Sequence, residues 1–178
     1  NGDGQLTTAD RTYLGTPFPK YNFGGNISLS YKNIDLNIDA QGVAGNKIYV
    51  QRRTATFATV NYEVNRLKAW TGAGTTNVEP ILDNTRPNNF LFSSYWLEPG
   101  DYLRLRNVQL GYTFNASTLG NSGIKSLRVY ISGQNIVTLT KATGYTPEVP
   151  INDPIRAGAD NGVYPVPAIY TLGINLTF

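Results

Sequence analysis

The strongest signal in this chain is a two-residue alternation of apolar and polar side chains. In residues 21–31, the apolar positions of one parity are Phe23, Ile27, Leu29 and Tyr31. After a break at Lys32 and Asn33, residues 34–43 alternate again, with Ile, Leu and Ala opposite Asp, Asn and Gln. Successive side chains of a strand point to opposite faces, so each segment predicts a strand with one apolar and one polar face. The short break predicts a tight β-hairpin.

Three later segments follow the same rule, at residues 101–114, 124–138 and 167–178. The first two are joined by the short stretch "NASTLGNSG", which predicts a second hairpin. The alternation slips at Asn135-Ile136, which predicts a bulge. In the last segment, one parity consists of large apolar residues, namely Tyr170, Leu172, Ile174, Leu176 and Phe178. The chain is therefore predicted to be all-β, with five antiparallel strands.

The connections between these strands alternate between short and long. The turns inside the two hairpins, 21–43 and 101–138, are short, whereas residues 1–20, 44–100 and 139–166 form long loops. Outer-membrane barrels have short periplasmic turns, long extracellular loops and strands that alternate apolar-out with polar-in. We therefore expect the three long loops to be extracellular.

This orientation places three aromatic residues, Tyr31, Phe114 and Phe178, at the periplasmic edge, where barrels carry an aromatic girdle. A soluble β-sandwich, serving as a secreted or surface binding module, would show the same alternation and stays open as an alternative. The polar positions are rich in Asn, Gln, Ser and Thr and poor in Lys and Glu, which favours the membrane barrel.

Composition excludes several classes of site. The 178 residues include neither Cys nor His, so disulfides, thiolate or imidazole metal sites and a Ser-His-Asp triad are ruled out. The net charge of +3 is small, and no nucleic-acid partner is predicted. The sequence does not begin with Met and shows no secretory signal, so we expect a processed chain or a piece of a longer one.

Several long motifs carry a specific resemblance. The opening run "NGDGQLTTADRTYLGTPFPKYNFGGNISLSYKNIDLNIDAQGVAGNKIY" is followed by "YLRLRNVQLGYTF", "SLRVYISGQNIVTLTKATGYTPEV" and "TLGINLTF". In this order they resemble the C-terminal part of SusC/RagA-type TonB-dependent transporters of Bacteroidetes. The resemblance implies the last five strands of a 22-stranded barrel in the cell outer membrane, which an N-terminal plug domain fills and a SusD-like lipoprotein closes. It also implies import of oligosaccharides or peptides with energy relayed by TonB, and no enzymatic activity.

Five strands are too few to form a closed wall. About eight strands is the practical minimum for a barrel, and unpaired edges in lipid cost several kcal/mol for each unsatisfied backbone group. The expected partners are therefore the plug and remaining strands of the same transporter, the SusD-like lipoprotein, TonB through the part not present here, and outer-membrane lipid. The final strand with its terminal Phe178 resembles the signal read by the barrel assembly machinery. The residues expected to act in assembly are its alternating apolar ones, Tyr170, Leu172, Ile174, Leu176 and Phe178.

Asp35 and Asp39 are the first candidates for catalysis, as paired carboxylates on one strand face. Four residues at ~3.3 Å each separate them by ~13 Å, beyond the ~5–9.5 Å that glycoside hydrolysis uses. We therefore predict no catalytic residues, and expect these carboxylates to form a hydrated polar wall with Asn37 and Gln41.

Two further groups of residues attract interest. Five aromatic residues in the predicted loops could stack on sugars, contact a partner or pack among themselves: Trp70, Tyr95, Trp96, Tyr145 and Tyr164. Arg104 and Arg106 share the lipid-facing parity of their strand, ~20–25 Å above the periplasmic edge. At that height we expect them either to meet lipid phosphates or to pair with loop carboxylates.

The opening "NGDGQLTTAD" matches the tail of a calcium-binding loop. Asn1 and Asp3 would supply side-chain oxygens, Gln5 its carbonyl, and Asp10 the ligand at the twelfth position, with Gly4 allowing the sharp turn. The first ligand of the pattern is missing and Asp10 is shorter than the usual Glu, so the predicted affinity is modest. A turn without metal is the alternative. Apart from this calcium ion, no cofactor is predicted.

Overall fold

The chain forms one five-stranded antiparallel sheet with a layer of loops above one end. The computed structural model describes residues 2–5, 7–55, 62–83, 85–120, 123–151 and 153–178. Its strands are β1 (Tyr21–Tyr31), β2 (Ile34–Ala44), β3 (Lys47–Tyr49), β4 (Leu97–Pro99), β5 (Tyr102–Asn115), β6 (Ser126–Thr140) and β7 (Ile169–Thr177). The large sheet has the order β1-β2-β5-β6-β7, so the all-β antiparallel prediction is confirmed.

The segment between the two hairpins contains structure that periodicity did not predict. β3 and β4 form a separate two-stranded sheet. The same segment contains one short helix, α1 (Arg52–Ala55), and 3-10 turns at Val64–Lys68, Pro87–Phe90 and Ser94–Trp96. A second short helix, α2 (Ala116–Leu119), lies in the turn of the second hairpin, and a further 3-10 turn, Thr8–Asp10, precedes β1. No helix in the described part of the chain is long and apolar enough to cross a membrane.

The first hairpin has the predicted register. Tyr31 pairs with Ile34, and Lys32 adopts a left-handed φ of 52° that closes the two-residue turn. Both strands keep the alternation that their sequences predict, since Ile27 pairs with Ile38 and so lies on the same face. In the second hairpin, residues 121–122 of the connecting turn lie outside the described residues.

The predicted bulge at Asn135-Ile136 is confirmed. Leu105 pairs with Val137 and Asn107 with Gln134, so Arg106 lies opposite two residues of β6, and Asn135 takes a φ of 53°. Arg106 is also the extra residue against β2, where Asp39 pairs with Asn107 and Ala40 with Leu105. A bulge of one residue switches which side chains face each side of the strand.

The apolar face of the large sheet is left open. Leu172 and Ile174 of β7 are 72% and 62% exposed, and apolar side chains along β1 are similarly open. This exposure does not fit the sandwich alternative, in which the apolar face would be packed against a second sheet. The buried apolar residues lie instead in the loop layer and where it meets β5: Ile48, Val50, Trp96 and Tyr102. A face of this kind is stable against lipid rather than water.

Candidate functional site

The polar face of the sheet carries a ladder of amide side chains across β1, β2 and β5. Asn26 donates from Nδ2 to Oδ1 of Asn37 at 2.8 Å and to Oδ1 of Asp39 at 2.6 Å. Ser28 donates to Asn37 Oδ1 at 2.8 Å, and Asn107 reaches Asp39 Oδ2 at 3.4 Å. The register pairs Asn26 with Asp39 and Ser28 with Asn37, so the ladder follows directly from the strand alignment. The ladder lies on the face where the sequence predicts a polar wall, and it contains two of the residues named there, Asn37 and Asp39.

Asp35 has a different partner from Asp39. Arg128 of β6 donates from Nε to Asp35 Oδ1 at 2.9 Å and from Nη2 to Oδ2 at 2.5 Å, a bidentate ion pair that spans β5. The pair passes over Gly111, where an added Cβ would lie 2.5 Å from Asp35 Oδ1. The two carboxylates therefore serve separate contacts.

A second glycine on the polar face makes room for an aromatic ring. Tyr130 lies across Gly173 of β7, where an added Cβ would come within 2.3 Å of the ring carbon Cζ. The guanidinium carbon of Arg128 is 4.9 Å from the centre of the same ring. Both glycines occupy polar-parity positions of their strands, where the absence of a side chain admits a long neighbour from β6.

Glu148 lies in the loop of residues 141–168 between β6 and β7, and it makes the main contact between that loop and the polar face. Tyr102 donates its hydroxyl to Glu148 Oε1 at 2.8 Å, and Arg106 donates from Nη2 to the same oxygen at 2.5 Å. Arg104 donates from Nη1 to Oε2 and from Nε to Thr138 Oγ1 at 2.8 Å. One carboxylate thus ties the loop to two arginines and a tyrosine of β5.

The lipid-facing assignment of Arg104 and Arg106 is wrong. Arg104 pairs with Gln41 on β2 and with Thr138 on β6, which places it on the polar face, and its side chain is only 2% exposed. The expectation counted alternate residues upward from Phe114. Because the bulge at Arg106 adds one residue to β5, that count assigns Arg104 to the opposite face from the one it occupies. Of the two expected partners, the loop carboxylate is the one found.

A second ion-pair cluster holds the loop layer together. Arg52 pairs with Asp160, and Arg53 contacts Glu98 at 2.6 Å. Thr143 donates from its backbone N and its hydroxyl to the two oxygens of Glu98, both at 2.7 Å. The residues 141–168 are therefore attached to the segment around α1 and β4 as well as to β5.

In the loop after α1, Arg66 is a buried residue that contacts Tyr95 and Glu79. It is buried, with Nη1 2.7 Å from the Tyr95 hydroxyl and 3.2 Å from Glu79 Oε2. Burial, and then the hydrogen bond to Glu79, raise the pKa of Tyr95 to about 12. Tyr95 therefore keeps its proton at physiological pH and donates it to Glu79 at 2.7 Å.

The loop aromatics divide into two groups. Trp96 is 1% exposed and donates from Nε1 to the Leu91 carbonyl at 3.0 Å, with the Tyr95 ring 4.8 Å away at an edge-on angle. These two residues pack within the loop layer. Trp70, Tyr145 and Tyr164 are exposed and open to a ligand or a partner.

The predicted calcium ligands occupy a short capped turn. Asp3 Oδ1 accepts from the Gln5 backbone N at 2.8 Å, and Asp10 Oδ2 accepts from the Thr7 backbone N at 2.8 Å, forming a capping box. Asn1 lies outside the described residues. Within the described ranges, no group of three or more acidic residues is placed to hold a metal. Calcium binding stays a prediction.

The residues expected to carry the assembly signal lie on β7 and just beyond it. Ile174 pairs with Val129 and Leu172 with Ile131, so their side chains share the apolar face. Phe178 follows the strand and is exposed. A role in assembly likewise stays a prediction.

Sequence reasoning missed Glu148 and the partner of Arg128. Both depend on contacts between residues far apart in the chain, 44 positions for Arg104 with Glu148 and 93 for Arg128 with Asp35. The available signal was the presence of arginines and glycines at polar-parity positions, which indicates long side chains crossing neighbouring strands.

Comparison with known proteins identifies the class of protein to which the chain belongs. No protein-family model matches the chain. It is 32% identical over 188 residues to TonB-dependent receptor P3 of Formosa agariphila, covering 100% of the chain and 18% of that receptor. TonB-dependent receptor SusC of Bacteroides thetaiotaomicron is 25% identical and is covered over 17% of its length. The RagAB peptide importer in its closed-closed state superposes with a TM-score of 0.79 at 25% identity, over 98% of this chain and 19% of the matched one.

These matches and the two-faced sheet define an outer-membrane β-barrel protein. Within that class, the chain is confirmed as a relative of SusC/RagA-type TonB-dependent receptors along its whole length. It spans less than one fifth of the length of the proteins it matches. The matched proteins are receptors and importers rather than enzymes, which agrees with the absence of predicted catalytic residues.

Proposed function

We propose that this chain forms part of the wall of a TonB-dependent importer for oligosaccharides or peptides. The observation that carries the proposal is the similarity of this whole chain to part of TonB-dependent receptors. It is combined with a sheet that has an apolar face and an amide-rich face. The apolar face suits lipid, and the polar face suits a hydrated interior. β1 and β7 each have one edge without a partner among the described strands, and these edges pair with further strands of the closed, 22-stranded barrel.

The polar face supports a substrate that is rich in hydroxyl or amide groups. Along β1, β2 and β5 the ladder consists of Asn, Ser and Asp side chains, which can donate to and accept from neutral polar groups. Oligosaccharides and peptides both present such groups. In this proposal the complete transporter also has a plug domain, and it works with TonB and with a SusD-like lipoprotein above the extracellular loops.

The test uses the full-length transporter in its own cells. Growth on a peptide mixture and on an oligosaccharide mixture is measured in cells that lack the transporter and in cells that carry it. A strain lacking TonB is the matched control. The proposal is supported if the transporter restores growth on one substrate class only when TonB is present, and if a lipoprotein co-purifies with the transporter. Equal growth without TonB would contradict it.

A further inference from the structure

A groove lies on the apolar face of the sheet near the short-turn end, among the described residues. It has a volume of ≈ 410 Å³ and crosses three adjacent strands, β2, β5 and β6. The side chains that line it are Ile34, Leu110, Tyr112, Phe114, Val129 and Ile131. The rings of Tyr112 and Phe114 form one wall, with centres 4.7 Å apart and planes at 63°. The lining is thus almost purely hydrocarbon and is shaped by an aromatic pair.

Two lysines lie at the turn end of the same three strands. Lys32 is in the β1–β2 turn, where the neighbouring Asn33 accepts from the Thr113 backbone N at 2.8 Å. Lys125 precedes β6, whose first residue, Ser126, pairs with Asn115 at the end of β5. Neighbouring strands are ~4.8 Å apart, so the two lysines flank β5 within roughly two strand spacings. Long flexible side chains at this separation can reach a single phosphate.

Both lysines are available for an external anion. Each side chain is exposed, and neither takes part in an ion pair with a carboxylate among the described residues. The ammonium of Lys32 lies 5.2 Å from the centre of the Tyr31 ring, an arrangement that suits the membrane–water interface. Positive charge next to an apolar groove matches a molecule with an anionic head and a hydrocarbon tail.

We propose that this groove binds an acyl chain of an anionic glycerophospholipid of the periplasmic leaflet, with the lipid phosphate between Lys32 and Lys125. The inference rests on the proposed membrane barrel with its short turns on the periplasmic side. The same phosphate chemistry occurs in lipopolysaccharide, which lies in the opposite leaflet. The groove and the lysines are at one end of the strands, so the orientation selects the phospholipid.

The test uses full-length transporter purified in detergent and titrated with phosphatidylglycerol or phosphatidylcholine, with bound lipid counted by native mass spectrometry. In the Lys32→Gln/Lys125→Gln double variant, we expect retention of phosphatidylglycerol to fall roughly tenfold, because each lysine near an anionic lipid adds attraction. Lys141→Gln, an exposed lysine at the other end of β6, is the control and should retain the lipid. Equal retention by the double variant and the wild type would overturn the proposal.

A second pair of variants tests the groove rather than the charge. Ile131→Trp fills the groove, whereas Ile27→Trp adds the same ring to the same face outside it, and the two isoleucines are 56% and 55% exposed. Only the Ile131→Trp variant should show reduced retention of phosphatidylglycerol. Loss in both variants, or tighter binding of lipopolysaccharide than of phosphatidylglycerol, would also overturn the site. Growth on the imported substrate is measured separately, so a transporter that imports normally but binds no lipid here refutes this inference alone.

Discussion

Glu148 is expected to hold the loop of residues 141–168 against the polar face of the large sheet. Its carboxylate accepts from Arg104, Arg106 and Tyr102. It also accepts a longer hydrogen bond from Gln41 Nε2 at 3.5 Å, and Glu148→Ala removes all four. Arg104 is 2% exposed and Glu148 26%, so the arginine would lose its carboxylate partner in a site with little water. Breaking a buried ion pair from one side costs about 3–5 kcal/mol, and the partial exposure of Glu148 places the cost near the lower end.

The effect should be local, because the strands beneath the loop keep their backbone pairing. A cost of about 3 kcal/mol corresponds to roughly a hundredfold increase in the population of the detached loop. Hydrogen–deuterium exchange of the full-length transporter, followed on peptides from residues 141–168, measures this change directly. Peptides from β5 and β6 should exchange at the wild-type rate.

A matched control lies in the same loop. The side chain of Asp153 is exposed and, in the described contacts, accepts only a local hydrogen bond from the Ile155 backbone N at 2.9 Å, so Asp153→Ala should leave exchange near wild type. Glu148→Gln keeps the shape but loses the charge, and should give an intermediate rate. If Glu148→Ala and Asp153→Ala exchange alike, the loop is held by its other contacts and the reasoning is refuted.

Four further predictions follow from the sheet and its ends. The 178-residue chain expressed alone should show no heat-modifiable band in detergent, because both sheet edges would face lipid unpaired; a stable monomeric band would contradict this. Deleting Phe178 from the full transporter should lower the amount in membrane fractions more than it lowers the melting temperature of the assembled barrel, and unchanged amounts would count against an assembly role. Gly111→Val should displace Arg128 and reduce the stability of the assembled barrel by an amount typical of overpacking, about 1–3 kcal/mol, which a lower melting temperature would show. Isothermal titration should detect modest calcium binding that is lost in Asp3→Asn/Asp10→Asn, and no heat with the wild type would remove the site.

Local alternation was sufficient to predict the five strands of the large sheet, though not the short strands β3 and β4. The side-chain period of a strand is a property of its own backbone, so residues 21–31 and 34–43 revealed their faces without reference to any partner. The slip at Asn135-Ile136 was visible for the same reason, because a bulge interrupts the period of the strand that contains it. The long motifs also identified the transporter family, which comparison with known receptors then confirmed.

Only the tertiary structure decided which polar groups meet. Arg104 was assigned to the lipid face because its parity was counted through Arg106, whose bulge becomes visible when β5 is paired with β2 and β6. Glu148 carries no local signal, since its role depends on a loop folding back across 44 residues to reach Arg104. Strand periodicity is encoded by neighbouring residues, whereas ion pairs across a sheet depend on register and loop closure, which no short stretch of sequence contains.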